Sequence, residues 1–427
     1  MTKELLLITK TFPFKTGEEF IENEIPYLAD AFDKVVVLAV AARTSDEQTR
    51  VVPANVQVVA ADIPEVSKLS LLLPLTEAEA SLKVLRGERD MQAQRFHPER
   101  WLYFRYFIRK VRDIQKAIDR LFSQGIFSVD APPLIYSFWF HDTVVAALLA
   151  QEQLGLNMPI VARAHRYDLW EDVSPTGYHP LRMVALKRIS RVFPISHRGA
   201  AYLKQRFPEY SAKVEAAYLG TVDNGLGFYE AQGNERDSFT VVSCANLIPL
   251  KRVDLLVEAL ALLESSTSVS LRWIHFGSGG QENKIRELAQ KVLKKTDWTL
   301  RGQIPNAQLM EFYRTHPVDV FVSASASEGL PVTMMEAISF GIPVVATAVG
   351  SVDEIVIDGS SGMTLPPDVK PEDIAQVLLS LAQCDLQEYR ALRKKARILW
   401  EKNFSAQKNY PTFISELYGL LQGTERV

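Results

Sequence analysis

The stretch Ser327-Glu328-Gly329-Leu330-Pro331-Val332-Thr333-Met334-Met335-Glu336, continued by Ala337-Ile338-Ser339-Phe340-Gly341-Ile342-Pro343, decides how the rest of the chain is read. Pro331 suits a first helical position, where its missing N–H costs nothing. The apolar run behind it reads as a short helix that Gly341 and Pro343 end. β-branched runs at 318–322 and 344–345 flank this unit, giving strand–loop–helix–strand. Its loop then falls at the carboxyl edge of a sheet, where open α/β sheets bind ligands. Amides at the helix mouth can hold a phosphate. Glu336, inside the helix, can accept hydrogen bonds from vicinal hydroxyls such as those of a ribose, and Glu328 in the loop can fold over the same ligand from its other end. Two carboxylates at this spacing also read as two solvated glutamates, so the remaining sequence has to decide.

With 427 residues, two domains are expected, each large enough to bury its own core. A formal charge of −3 argues against nucleic-acid binding driven by overall charge. The two cysteines, Cys244 and Cys384, lie far apart, which predicts neither a disulfide framework nor a C-x-x-C metal site and fits a reducing compartment. The opening Met1-Thr2-Lys3-Glu4-Leu5-Leu6-Leu7-Ile8 reads as a buried first strand rather than a signal peptide. No apolar run approaches the ~20 residues that span a bilayer.

In the first half, strand 5–9 runs into Lys10-Thr11-Phe12-Pro13-Phe14-Lys15-Thr16-Gly17-Glu18-Glu19, a loop predicted to open a helix at about Glu18. Gly17 reads either as a structural turn or as part of a ligand-binding corner. Residues 64–127 turn helical, and Trp101 to Arg112 interleaves rings with arginines. That stretch is either an amphipathic helix with its rings in the core and its arginines in water, or a basic aromatic face for an anionic membrane or a lipid-linked acceptor. Short buried strands at 134–137 and 160–163 follow, the second leading into Ala164-His165-Arg166-Tyr167-Asp168, with His165 just past a strand end. Helix 180–188, strand 192–195, helix 197–207 and strand 214–218 are predicted to complete the domain, with a linker at 220–225.

From residue 239 strands and helices alternate regularly, as in a parallel sheet covered on both faces. Strand 240–245 gives way to Asn246-Leu247-Ile248-Pro249-Leu250-Lys251-Arg252 and a helix over 253–263. Two cations at that helix start suggest an anion in front of them, since the dipole would prefer acids there. A strand at 271–276 ends in Gly277-Ser278-Gly279-Gly280, where missing side chains allow close backbone approach to a ligand. The Gln303-Ile304 loop follows the strand at 298–300. Gly350 is expected to open a further helix, Gly359 and Gly362 to flank a turn, and residues 371–421 to be helical with a break near Phe404-Ser405.

Together these residues resemble the family-4 retaining glycosyltransferases. The resemblance covers essentially the whole chain and is most specific at Glu328-Gly329-Leu330-Pro331…Glu336-Ala337…Gly341-Ile342-Pro343-Val344-Val345-Ala346, the family's E-x7-E signature. It implies an α/β fold of the GT-B type, two Rossmann-like doubly wound domains facing across a cleft. The implied domains are residues 1–223 for the acceptor, with the helical insertion at 64–127, and 224–400 for the nucleotide sugar. A C-terminal helix at 401–427 would return to the first domain. Residue by residue, Glu336 would bind the donor ribose and Glu328 the transferred sugar. Gly329, Leu330, Pro331 and Val332 would meet the diphosphate and sugar, and Lys251 would neutralise the diphosphate. His165 would lie beside the reacting centre, with Gln303 and Ile304 at the base and Gly17 near the donor phosphates and acceptor. The family's G-R-L-x-x-x-K-G reads Ala245-Asn246-Leu247…Lys251-Arg252 here, which leaves Arg252 to replace the charge missing at Asn246. Its G-x-G-P reads Gly277-Ser278-Gly279-Gly280.

The implied reaction moves a hexose from a UDP- or GDP-sugar to a hydroxyl of a glycan or lipid-linked acceptor, with retention, in bacterial exopolysaccharide or lipopolysaccharide synthesis. Front-face attack within an ion pair is the expected route, the departing phosphate acting as base. No Asp-x-Asp motif stands in a fitting place, so no essential metal and no cofactor are expected. A cytoplasmic protein with peripheral contact at the inner membrane face fits this reading. The alternatives are a catalytically silent partner subunit and a nucleotide-sugar epimerase on the same fold.

Overall fold

The structure, a computed structural model, describes residues 3–15, 17–64, 97–227 and 238–424. The chain divides into two compact units, Met1–Tyr218 with Tyr410–Val427, and Leu219–Asn409.

Unit 1 is built on β1 (Glu4–Thr9), β2 (Lys34–Ala39), β3 (Val56–Ala60), β4 (Leu134–Ser137), β5 (Ile160–Ala164) and β6 (Arg191–Pro194), paired in the order β3-β2-β1-β4-β5-β6. Every pairing is parallel. The strands are near-continuous apolar runs because both faces are covered, as parallel sheets require. Alternation along β1 sorts its side chains between two cores. Leu6 and Ile8 join the helices Pro98–Ser123 and Asp142–Leu154, while Leu5 and Leu7 join Phe413, Ile414 and Leu417 of the C-terminal helix.

Unit 2 repeats the plan with β7 (Ser238–Cys244), β8 (Ser270–Phe276), β9 (Asp297–Leu300), β10 (Val320–Ser323), β11 (Val344–Thr347) and β12 (Gly362–Leu365), in the order β12-β11-β10-β7-β8-β9. Counted within each unit the order is 3-2-1-4-5-6, the doubly wound arrangement. Strand order reverses between β1 and β4 and between β7 and β10, and ligand crevices open at such reversals. Helices Val253–Ser266 and Pro371–Gln383 pack side by side over one face of the second sheet.

Several expectations need correction. The predicted strand at 214–218 forms only one bridge, Val214 to Val192, although Glu215 N and Ala217 N still donate to β6 carbonyls. The segment after Gly17 begins as a 3-10 turn, Glu19–Asn23, before the helix Ile25–Ala31. Gly350 opens no α-helix, only the turn Val352–Glu354, whereas the turn expected at Gly359 and Gly362 is present at 359–361, just before β12. Pro331 is the N-cap of the helix Val332–Ser339 rather than its first residue; its ψ of 116° is extended, not helical. In the insertion, residues 65–96 lie outside the described residues. Helix Pro98–Ser123 buries Phe104, Phe107 and Ile108, but it also buries Arg105, whose guanidinium lies over the Trp101 ring, and it leaves Trp101, Leu102 and Tyr106 exposed. Neither of the two sequence readings of that helix describes it fully. Among the described residues no helix is long and apolar enough to cross a membrane.

Candidate active site

In unit 2 the strand reversal between β7 and β10 gathers most of the expected residues. The loop after β7 ends in a 3-10 turn, Pro249–Lys251, and the loop after β10 carries Glu328. Lys251 Nζ lies 2.6 Å from Glu328 Oε1, so the two residues assigned to diphosphate and sugar meet as an ion pair. Ala326 N donates to Leu250 O at 2.8 Å and ties the two loops together beside that pair.

Arg252 takes a different part from the one the sequence suggests. Its backbone is left-handed at φ 45°, and its guanidinium donates to Ala324 O (2.6 Å), Ser325 O (3.0 Å) and Pro367 O (3.0 Å). All three acceptors are main-chain carbonyls that follow strand ends. The fork therefore holds the β10 loop in place, its charge engaged by these carbonyls. Asn246 itself is exposed.

Glu336 lies in the helix Val332–Ser339 and is 5% exposed, so the solvated reading of this carboxylate fails. Asn306 Nδ2, at the start of the helix Asn306–Thr315, donates to its Oε1 at 2.8 Å. Burial pushes the Glu336 carboxyl up to about 7, opposed by that hydrogen bond. Burial also pushes the nearby Cys244 thiol up to about 12, with the Glu336 charge adding to the effect. Gly329 and Val332 are half-buried and Leu330 is buried. Ser351 N donates to Gly329 O at 2.9 Å, and a Cβ on Gly350 would fall 1.9 Å from Glu328 O, so only glycine lets that turn close on the site loop.

The glycines after β8 serve the chain itself. A Cβ on Gly277, at φ 124°, would fall 2.0 Å from Ala245 O, and one on Gly279 would fall 2.5 Å from Leu247 O. Their backbone approaches the neighbouring loop, with Leu247 N donating to Ser278 O and Gly277 N to Gly302 O. The exposed Gln303 and half-buried Ile304 follow, one turn ahead of Asn306.

In unit 1 the carboxyl ends of β1, β4 and β5 supply Lys10, Trp139 and His165. His165 is buried, stacks on Phe20 (centroids 5.7 Å apart) and meets Trp139 (4.6 Å) and Phe138 (4.8 Å) at a tilt. Asp168 accepts from His165 N at 2.6 Å, while both imidazole nitrogens are buried without a hydrogen-bond partner. Gly17 is exposed at φ 112°, a conformation that suits glycine.

Sequence reasoning missed Lys10, whose ammonium lies 4.4 Å from the Trp139 centroid and 4.2 Å from that of Tyr167. It also read Glu18 only as the start of a helix. Glu18 is buried and accepts from the amides of Lys10 (2.9 Å), Thr11 (2.7 Å) and Phe12 (2.7 Å) and from the Trp139 indole (2.5 Å). It is the clamp of the β1 loop. Among the described residues no group of three or more His, Cys, Asp or Glu could hold a metal ion.

A family model described as "Glycosyl transferases group 1" matches residues 229–399, so the chain carries a group 1 glycosyltransferase domain. The chain is 26% identical over 217 residues, 50% of its length and 41% of the relative's, to the GtfA subunit of the UDP-N-acetylglucosamine–peptide N-acetylglucosaminyltransferase of Streptococcus parasanguinis. It is 30% identical over 188 residues to WcaL of Escherichia coli K12, a glycosyltransferase named for colanic acid biosynthesis, covering 43% of this chain and 44% of that one. The chain thus spans less than half the length of these two relatives. Among solved structures, Anabaena HepE in complex with UDP and glucose superposes with a TM-score of 0.62 at 16% identity over 98% of this chain and 100% of that one. The two Rossmann-like units are those of the GT-B fold.

Proposed function

We propose that this protein is a retaining hexosyltransferase that moves a sugar from a nucleoside diphosphate to a hydroxyl of a glycan or lipid-linked acceptor in bacterial surface polysaccharide synthesis. The Lys251–Glu328 ion pair carries the proposal. It fixes a cation and a sugar-directed carboxylate at the strand reversal of the unit that the family model matches.

In this reading Lys251, with the amides at the mouth of helix Val332–Ser339, stabilises charge on the departing diphosphate. Glu336 holds the ribose, and Gln303 and Ile304 flank the base. Gly277 and Arg252 shape the loops that present these groups. Glu328 exchanges its bond to Lys251 for the sugar hydroxyls once the diphosphate takes the ammonium. His165, whose ring nitrogens make no hydrogen bond although Nδ1 faces Asp168 Oδ2 at 4.0 Å, is assigned to the reacting sugar, and Gly17 to the loop that meets phosphate and acceptor. Retention follows from front-face attack with the departing phosphate as base, and because Lys251 and the helix-mouth amides take the diphosphate charge, the reaction needs no metal and no cofactor. The names of WcaL and GtfA support a glycan or glycoconjugate product, and the UDP and glucose bound to HepE support a UDP-sugar as the first donor to test. We assign the protein to the cytoplasmic side of the membrane, where nucleotide sugars are present.

A panel of UDP- and GDP-sugars screened for thermal stabilisation, followed by NMR of the anomeric product, tests the proposal. One stabilising donor and an anomeric configuration unchanged from donor to product are expected. A chain that no nucleotide sugar stabilises would exclude it.

A further inference from the structure

We infer that Asn306 is the positioning residue for the donor-binding carboxylate, and that nucleotide-sugar binding ionises Glu336 and expels one proton; this rests on the reading of Glu336 as the ribose ligand.

A comparison of two buried glutamates in the same unit carries the inference. Glu264 accepts the amides of Lys294, Lys295 and Thr296 and the Thr296 hydroxyl, a full set of donors for an ion. Glu336 is equally buried, yet among the described residues it accepts a single side-chain hydrogen bond, from Asn306 to Oε1. Its second oxygen receives none from the described residues.

Among the described residues no cation makes up the difference. Lys251 closes on Glu328. Arg393 and Arg397, from the helix Leu386–Asn403 that packs on helix Val332–Ser339, donate to the carbonyls of Phe340 and Ser339. The other titratable groups facing Glu336 are Cys244 at the end of β7 and Tyr313 on the helix Asn306–Thr315. Burial raises both, so each keeps its proton through neutrality. The Tyr313 hydroxyl is itself buried without a partner.

An under-solvated carboxylate of this kind favours its protonated form. The two O–H groups of a vicinal diol supply the donors that Glu336 lacks, and hydrogen bonds to the charged form favour that form. The proton on Glu336 then passes to solvent as the diol docks, with no bond of the sugar altered. Asn306 fixes Oε1, leaving Oε2 to meet the diol.

Calorimetry of UDP-glucose and GDP-mannose with the full chain, in two buffers of different ionisation enthalpy, tests this. The donor that binds should bind about tenfold more weakly at about pH 6 than at about pH 8, releasing close to one proton per site at the lower value. In Glu336→Gln the remaining affinity should be insensitive to pH and release no proton. Asn306→Ala, whose unfolding midpoint should stay near wild type because the side chain is at an exposed helix start, should move the affinity midpoint to higher pH and raise the donor KM with kcat retained. Equal affinity at both pH values, or binding without proton release, would overturn the inference while leaving the transferase reading intact. Absence of binding by these two and by every other UDP- and GDP-sugar of the panel, at every pH, would overturn the transferase reading itself. An Asn306→Ala profile identical to wild type would remove Asn306 from its positioning role.

Discussion

Lys251 Nζ and Glu328 Oε1 stand 2.6 Å apart, joining the loop after β7 to the loop after β10 across the point where the strand order of unit 2 reverses. The side chains are 22% and 11% exposed, so this pair is more shielded from water than an ordinary surface contact. Each residue has a separate task in the proposed reaction, and each also holds the other before donor arrives.

The pair therefore predicts coupled behaviour. Lys251→Ala should lower kcat/KM tenfold or more, at least ~1.4 kcal/mol of transition-state stabilisation. A cycle of Lys251→Ala, Glu328→Ala and the double variant should show a coupling of about 1–3 kcal/mol in stability or donor binding. Strict additivity would show that the two residues act independently.

Glu336 should make the folded state sensitive to pH. Its folded value of about 7 lies above the ordinary 4.5. Between these values the unfolded chain loses the proton while the folded chain keeps it, so stability falls as pH rises from 4.5 toward 7 and levels off above. The accumulated loss is on the order of 3 kcal/mol. Glu336→Gln should accordingly melt above wild type at pH 8, with the gap closing near pH 4. An equal gap at both would refute this.

Glu18 should matter far more to folding than a loop acid usually does. Glu18→Ala strands the amides of Lys10, Thr11 and Phe12 and the Trp139 indole without an acceptor. A loss of about 3 kcal/mol or more in urea unfolding is expected, with a change in tryptophan emission. Glu18→Gln, which keeps an oxygen acceptor, should fall between the two.

Arg252 separates a structural cation from a donor-binding one. Arg252→Ala should destabilise the chain by about 2 kcal/mol, because charge-assisted bonds to three carbonyls are lost. Arg252→Lys should not restore them, since an ammonium lacks the planar fork. The salt dependence of donor KM should match wild type in both variants. A flattened salt dependence would return Arg252 to the diphosphate.

The parts of the site legible in the sequence were those set by local order along the chain. Glu328, Glu336 and the strand–loop–helix–strand around them follow from apolar runs punctuated by Gly341 and Pro343. Lys251 follows from its unusual place at a helix start. Residues whose meaning depends on distant partners were not legible. Asn306 is thirty residues from the glutamate it holds, and nothing beside it in sequence marks that bond. Glu18 looked like a helix-start acid because its acceptor role depends on a loop folding back and on Trp139. Gly277 and Gly279 looked like room for a ligand, whereas the space they leave is filled by residues 245–247. One of the two readings of residues 101–112 put Arg105 in water, but the Trp101 ring, one turn back, covers it.

Tyr410–Val427 completes unit 1, although all of unit 2 lies between it and Tyr218. Phe413, Ile414 and Leu417 fill the core against Leu5, Leu7 and Tyr136. A ribosome therefore finishes unit 2 before it releases the side chains that close one face of the first sheet. Leu5 and Leu7 must wait for Phe413, Ile414 and Leu417, with apolar surface uncovered meanwhile. Unit 2 can fold as it emerges, whereas unit 1 is the part most exposed to chaperones and to aggregation during synthesis.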